Sequence, residues 1–168
     1  MLPPKTQKIT VKGAKYKYLY CDTLRLLMFM KNHHNYYKSL LTIMKDHRGH
    51  KFNLMNFVVE DYKYEFDQTS VRYLLILNDK DVLATSRVIY SGKKGYINDV
   101  HTNKKYRGKG LCTANIKKIV NVSHKKLKLN KFELDVDDDN KHAIKCYEKV
   151  GFDRGKRKHG CIKMTMLL

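Results

Sequence analysis

The sequence has few acidic residues, few prolines and no tryptophan. Its 168 residues contain 16 Asp and Glu against 35 Lys and Arg, and both prolines lie at the start of the chain. It has no uncharged run long enough to span a membrane, and Met1 is not followed by the apolar core of a signal peptide. With 42% hydrophobic residues, the composition is that of a globular protein. We therefore expect one domain over residues 1–168, located in the cytoplasm and not associated with a membrane.

The four cysteines, Cys21, Cys112, Cys146 and Cys161, form no closely spaced pair and have no clustered histidines around them. Zinc sites need several such ligands at short spacing, so the sequence predicts no metal site. Isolated cysteines are typical of proteins from a reducing compartment. We therefore expect free thiols that are mostly buried.

The net charge of +19 favours an anionic partner. Nucleic acid is one such partner, but the chain has no RNA-binding or helix-turn-helix signature. The positive charge is also local. Between Asp99 and Glu133 there is no acidic residue, whereas ten residues are Lys or Arg. A localised anion site is therefore favoured over a nucleic-acid-binding module.

The hydrophobic pattern predicts a mixed α/β fold. Alternation indicates a strand within Ile9–Tyr20, and helical spacing indicates three helices between Asp22 and Tyr62. Two apolar runs around Asn78–Asp81 predict a β-hairpin, followed by a third strand at Tyr96–Thr102. The remaining predicted elements are a helix from Gly108, a strand at Phe132–Val136, a helix at Asn140–Val150 capped by Gly151, and a final strand with Ile162, Met164 and Met166.

The segment Tyr106-Arg107-Gly108-Lys109-Gly110-Leu111-Cys112 lies between a predicted strand and a predicted helix. Glycines let backbone N–H groups approach a ligand closely, and the start of a helix presents unpaired N–H groups with a positive dipole. Such a loop is suited to phosphate or pyrophosphate. On its own, a glycine-rich turn beside a solvated run of charge would look similar, so the loop is weak evidence.

A second block strengthens the interpretation. Asn140-x-x-Ala143-Ile144-x-x-Tyr147 continues to Gly151-Phe152, one strand and one helix beyond the glycine loop. Together with Asp99–Leu111, it resembles the GNAT acetyltransferases, and the order of predicted elements is similar to the GNAT fold, a central mixed β-sheet flanked by helices. One departure is Cys112, where many relatives have Gly or Ala.

The resemblance implies an enzyme that uses acetyl-CoA. Backbone N–H groups of Arg107, Gly108, Lys109, Gly110, Leu111 and Cys112 would hold the pyrophosphate, and backbone groups of Val100 and Thr102 would pair with the pantetheine arm. Asn140 would cap its helix and contact the cofactor. Tyr147 would lie near the sulfur and protonate the leaving thiolate.

The residue that deprotonates the amine is left open. Asp99 and Asp135 are the candidates, because a carboxylate near the thioester can accept the proton. Asn98 stands where some relatives carry Glu. Strand alternation predicts that Asn98 and Asp99 point to opposite faces, so that only one of them lines the cleft.

The acceptor is expected to be a small primary amine. The runs Gly95–Val100, Glu133–Asp135 and Tyr147–Phe152 are similar to glucosamine-6-phosphate N-acetyltransferases, and basic residues suit a phosphorylated amino sugar. Protein lysine or N-terminal acetylation is an alternative, as is a silent module that binds acetyl-CoA or nucleic acid. A polyamine is disfavoured by the charge. A C-terminal strand that pairs with a second copy would allow a homodimer.

Overall fold

The computed structural model describes residues 4–64 and 70–168. Its strands are β1 (Gln7–Val11), β2 (Ala14–Cys21), β3 (Ser70–Leu77), β4 (Val82–Ser91), β5 (Lys94–Thr102), β6 (Lys131–Asp137), β7 (Asp153–Lys158) and β8 (Cys161–Leu167). Its α-helices are α1 (Thr23–Asn32), α2 (His34–Arg48), α3 (Leu54–Tyr64), α4 (Leu111–Leu127) and α5 (Lys141–Val150). A short 3-10 helix spans Lys104–Tyr106. The predicted mixed α/β class and the GNAT-like sheet flanked by helices are confirmed.

The strands form one sheet in the order β1-β2-β3-β4-β5-β6-β8-β7. Only β5 and β6 are parallel; the other neighbours are antiparallel. One face packs against α4 and α5 through buried residues such as Leu74, Ile116 and Ile144. The other face packs against α1, α2 and α3 through residues such as Leu75 and Leu40. The buried side chains of β3 point alternately to the two faces, because successive side chains of a strand lie on opposite sides of the sheet.

Several helix ends lie where the sequence predicts them. Asp22 caps α1 by accepting from the N–H of Arg25 at 2.8 Å, and Asn140 caps α5 by accepting from the N–H of Ala143 at 3.1 Å. Gly151 ends α5 with φ +113°, a left-handed conformation that glycine adopts without strain. The third predicted helix is confirmed as α3, although the side chain of Tyr62 lies outside the described residues. No helix among the described residues is long and apolar enough to cross a membrane.

The prediction of one strand within Ile9–Tyr20 is wrong. The segment is a hairpin, because Lys12 and Gly13 both have positive φ and turn the chain between β1 and β2. Strand β7 was not predicted, since all six of its residues are exposed and none is apolar. The last strand, β8, lies between β6 and β7. It therefore offers no free edge to a second copy, and dimerisation stays a prediction without that support.

The expectation of four free thiols is also wrong. Cys112 and Cys146 form a disulfide that links the first turn of α4 to α5, with their Cα atoms 6.4 Å apart. Cys21 and Cys161 are free. The two paired cysteines are 34 residues apart, so only the packing of α4 against α5 brings them together.

Candidate active site

A cleft opens where β5 and β6 separate. The two strands pair only at Lys94–Tyr96 and Lys131–Glu133, and beyond these positions they diverge. The resulting cavity has a volume of about 240 Å³. Its lining comes from the end of α2, from β5, from β6 and from the start and middle of α5: His47, Ile97 to His101, Leu134 to Asp137, Asn140 and Tyr147. The cleft is thus lined by residues of both Asp99–Leu111 and Asn140–Phe152, although the glycine loop itself is not part of its lining.

A β-bulge shapes the wall of this cleft. Thr85 of β4 pairs with His101, but Arg87 pairs with Asn98, so β5 carries an extra residue between these positions. Asp99 lies in the bulge with φ +48°, in the left-handed region that non-glycine residues rarely adopt. The expectation that Asn98 and Asp99 point to opposite faces is therefore wrong. Both side chains contact the Arg87 guanidinium, whose Nε donates to Asn98 Oδ1 at 2.8 Å.

Asp99 is held in a buried cluster of charges. Its side chain is 7% exposed, its Oδ2 lies 2.5 Å from Arg87 Nε, and its Oδ1 pairs with Arg48 of α2. Burial acts to raise the pKa of Asp99, but the His101 ring and the two guanidinium groups outweigh it and hold this pKa well below its usual range. A carboxylate so strongly stabilised in its charged form is a weak base.

Strand β6 carries three further acidic residues, of which Asp135 and Asp137 line the cleft. The ammonium groups of Lys94 and Lys131 lower the pKa of the buried Glu133 to about 2. Asp135 is exposed and accepts a hydrogen bond from the Tyr96 hydroxyl at 2.8 Å. It lies on the cleft wall, as the sequence predicts for a site residue, and it also lines a second groove described below.

Tyr147 lies within the cleft on the inner face of α5. It is 6% exposed, and its ring packs at a tilt against Phe152 with centroids 6.3 Å apart. Burial raises the pKa of Tyr147 to about 12, so that the phenol stays protonated at neutral pH. This is the protonation state that a general acid requires.

The glycine loop leaves its backbone donors open. Gly108 and Gly110 have φ of +77° and +78°, and α4 begins at Leu111 directly after them. Within the described part of the chain, the backbone N–H groups from Gly108 to Cys112 have no hydrogen-bond partner. Arg107 differs from the prediction, because its N–H donates to the carbonyl of Lys104 at 3.4 Å. A Cβ atom placed on Gly108 would meet nothing within 4 Å, so the space beside Gly108 is free.

These features fit a pyrophosphate group, since unpaired N–H groups at a helix start stabilise an anion. Lys12, in the turn between β1 and β2, adds a cation that the sequence analysis missed. Its Nζ lies 3.5 Å from the carbonyl oxygen of Gly108, and its side chain passes close to Gly110. Because 96 residues separate Lys12 from Gly108, no local pattern could have indicated this contact.

His47 and His101 were also missed. The two rings meet in the cleft with centroids 4.4 Å apart. His47 ends α2 next to Arg48, in a segment whose sequence looks like an ordinary helix end. His101 is a single histidine within a strand. His33, between α1 and α2, and Tyr36 of α2 stack on Phe29 and do not line the cleft.

Comparison with known proteins agrees with this geometry. Residues 37–152 match the model of the acetyltransferase (GNAT) family. No curated protein matches the chain significantly.

Among solved structures, the GNAT domain of S. lividans PAT is similar with a TM-score of 0.70 and 14% identity, covering 97% of both chains. The N-acetyltransferase PseH of Campylobacter jejuni, solved with acetyl coenzyme A, has a TM-score of 0.56 and 17% identity, covering 70% of this chain and 83% of that one. A chimera of the spermidine N-acetyltransferase SpeG from Vibrio cholerae and hSSAT has a TM-score of 0.62 and 17% identity, covering 75% and 86%. These similarities show the fold. The family match extends over more than half of the sequence, and the chain belongs to the GNAT family of N-acetyltransferases, which use acetyl-CoA.

Proposed function

We propose that this enzyme transfers the acetyl group of acetyl-CoA to the primary amine of a small acceptor that also carries an anionic group, with glucosamine 6-phosphate as the first candidate. The observation that carries this proposal is a basic groove beside the cleft, with a volume of about 570 Å³. We define the basic groove by Asp135, Lys156, Lys158, His159 and Lys163. Asp135 lines both the groove and the cleft, so the two cavities meet at this residue.

The charges of the groove suit an acceptor with two opposite charges. Lys156, Lys158 and Lys163 are exposed and are suited to binding a phosphate as point charges. The Asp135 carboxylate, at the cleft end, attracts the ammonium form of an amine. A polycation such as spermidine has no anionic group to pair with the lysines, so the groove disfavours it.

The cofactor side of the proposal uses the glycine loop and the separated strands. The N–H groups of Gly108 to Cys112 and the Lys12 ammonium hold the pyrophosphate, and the β5 backbone at Val100 and Thr102 binds the pantetheine arm in the gap that β6 leaves. Acetyl-CoA supplies the thioester. Tyr147 supplies the proton that the departing thiolate takes up.

The test compares amines as acceptors in a CoA-release assay. We expect turnover with glucosamine 6-phosphate, with a KM well below that of unphosphorylated glucosamine, and little turnover with spermidine or a lysine peptide. The Lys158→Ala and Lys163→Ala variants should raise the KM for the phosphorylated sugar roughly tenfold, which corresponds to about 1.4 kcal/mol, and leave the KM for glucosamine unchanged.

The matched control is Lys125→Ala, which removes an exposed lysine of α4 outside the groove. Equal KM values for glucosamine and its 6-phosphate would contradict the anionic acceptor. Turnover with the peptide alone would indicate that the acceptor is a protein.

A further inference from the structure

Each carboxylate that lines the cleft, from Asp99, Asp135 or Asp137, already has a partner. Asp99 is neutralised by two arginines, and Asn98 beside it has no titratable group. Asp135 accepts from the Tyr96 hydroxyl, and Asp137 accepts from the Cys161 thiol, with Sγ and Oδ1 3.6 Å apart. The amine of an acceptor is mostly protonated at neutral pH, so acetyl transfer needs a group that takes this proton.

The His47–His101 pair occupies the wall of the same cleft as Tyr147. The His101 side chain is 11% exposed and its Nε2 is buried, at 3.8 Å from Asp99 Oδ1. His47 is exposed to solvent at the end of α2, with its ring against His101. One ring is thus fixed in the strand, and the other faces both the cavity and water.

The charges around His47 favour its neutral form. Partial burial of its ring, the neighbouring His101 and Arg48 lower the pKa of His47, and Asp99 of β5 and Asp137 of β6 oppose this effect. Asp46, the preceding residue of α2, pairs with Lys104 of the 3-10 helix at 3.2 Å. Because the pKa of His47 lies below its ordinary value of 6.5, the ring is mostly neutral at neutral pH. One of its ring nitrogens then has a free electron pair that can accept a proton.

We propose that His47 is the general base of the reaction and that His101 is its positioning residue. This inference rests on acetyl transfer to an amine. The ammonium group of the acceptor gives one proton to a ring nitrogen of His47, which later releases it to solvent. The freed electron pair forms the C–N bond as the C–S bond breaks. The thiolate takes the Tyr147 phenol proton, and the extra proton of the amide nitrogen returns to Tyr147.

The experiment measures kcat against pH for the full-length protein and its variants, with the amine that the unaltered protein turns over. The unaltered protein should lose kcat on the acidic side with a midpoint below pH 6.5, because protonated His47 cannot accept a proton. His47→Gln should lower kcat about a hundredfold and abolish this acidic midpoint. His101→Gln should shift the midpoint to higher pH, since the neighbouring ring no longer disfavours the charged form.

The control is His142→Gln, which alters an exposed histidine of α5 outside the cleft and should leave the profile unchanged. Acetyl-CoA binding by the His47→Gln protein, measured by calorimetry, should equal that of the unaltered protein, which separates a lost base from a misfolded cleft. A His47→Gln protein that keeps its acidic midpoint and its kcat would overturn the inference. Turnover of another amine but not of glucosamine 6-phosphate would count against the proposed acceptor, and the pH profile with that other amine would still decide the role of His47.

Discussion

Replacement of Asp99 by asparagine should destabilise the fold. The carboxylate is 7% exposed, and the Arg87 side chain that it neutralises is 10% exposed, so both charges are largely removed from water. Removing one partner of a buried ion pair typically costs about 3–5 kcal/mol. Asn98 Oδ1 still accepts from Arg87 Nε at 2.8 Å in the variant. We therefore expect the free energy of unfolding to fall by the lower end of this range, about 3 kcal/mol. For a chain of this size, that corresponds to a decrease in Tm of about 6–12 °C.

The pH dependence of this effect has a defined sign. The folded-state pKa of Asp99 lies below its unfolded value of 3.8, so the stabilisation is fully present above about pH 4 and is lost as the pH falls further. Urea unfolding at pH 7 should show the full difference between the Asp99→Asn variant and the unaltered protein, and the difference should shrink below pH 4. Asp153→Asn, on the exposed strand β7, is the matched control. A loss of less than 1 kcal/mol at pH 7 would refute the reasoning.

Three further predictions concern Tyr147, Lys12 and the disulfide. Tyr147→Phe keeps the buried ring, so acetyl-CoA affinity should be retained while kcat falls about a hundredfold, and an unchanged kcat would exclude the acid role. Lys12→Ala should raise the KM for acetyl-CoA roughly fivefold and less so in high salt, whereas Lys15→Ala in β2 should not. The Cys112–Cys146 disulfide closes a 34-residue separation, which contributes about 4 kcal/mol on a loop-closure model. Dithiothreitol should therefore lower the free energy of unfolding to that of Cys112→Ser, and insensitivity to the reductant would contradict this.

Local signals explain the elements that the sequence predicted well. The hairpin of β3 and β4 has two apolar runs around a polar turn, and α5 has a capping asparagine at one end and a glycine at the other. The position of the loop between a strand and a helix was predicted correctly, because Gly108 and Gly110 adopt positive φ there. Glycine does so without strain, whereas most other residues do not. These features depend on near neighbours in the chain, which is why pattern reasoning reaches them.

Features that depend on distant residues were missed. The turn between β1 and β2 is an exception, because Gly13 and the change of phase from Ile9 and Val11 to Tyr16 and Tyr18 mark it locally. The bulge at Asp99 arises from the pairing of β5 with β4, and it changes which face Asp99 occupies. The disulfide and the His47–His101 contact each join two elements that only the tertiary fold brings together.

The bulge also explains why Asp99, a candidate base in the sequence, instead joins α2 to β5 through an ion pair. By turning Asp99 toward Arg48, it ties the last turn of α2 to β5, and the residue before Arg48 is His47. The ion pair thereby holds the His47 ring against His101 at the cleft wall. In this arrangement Asp99→Asn should lower kcat by loosening α2, yet the acidic midpoint should persist because His47 remains. If Asp99 itself accepted the proton, the same variant would abolish the midpoint and His47→Gln would leave it intact.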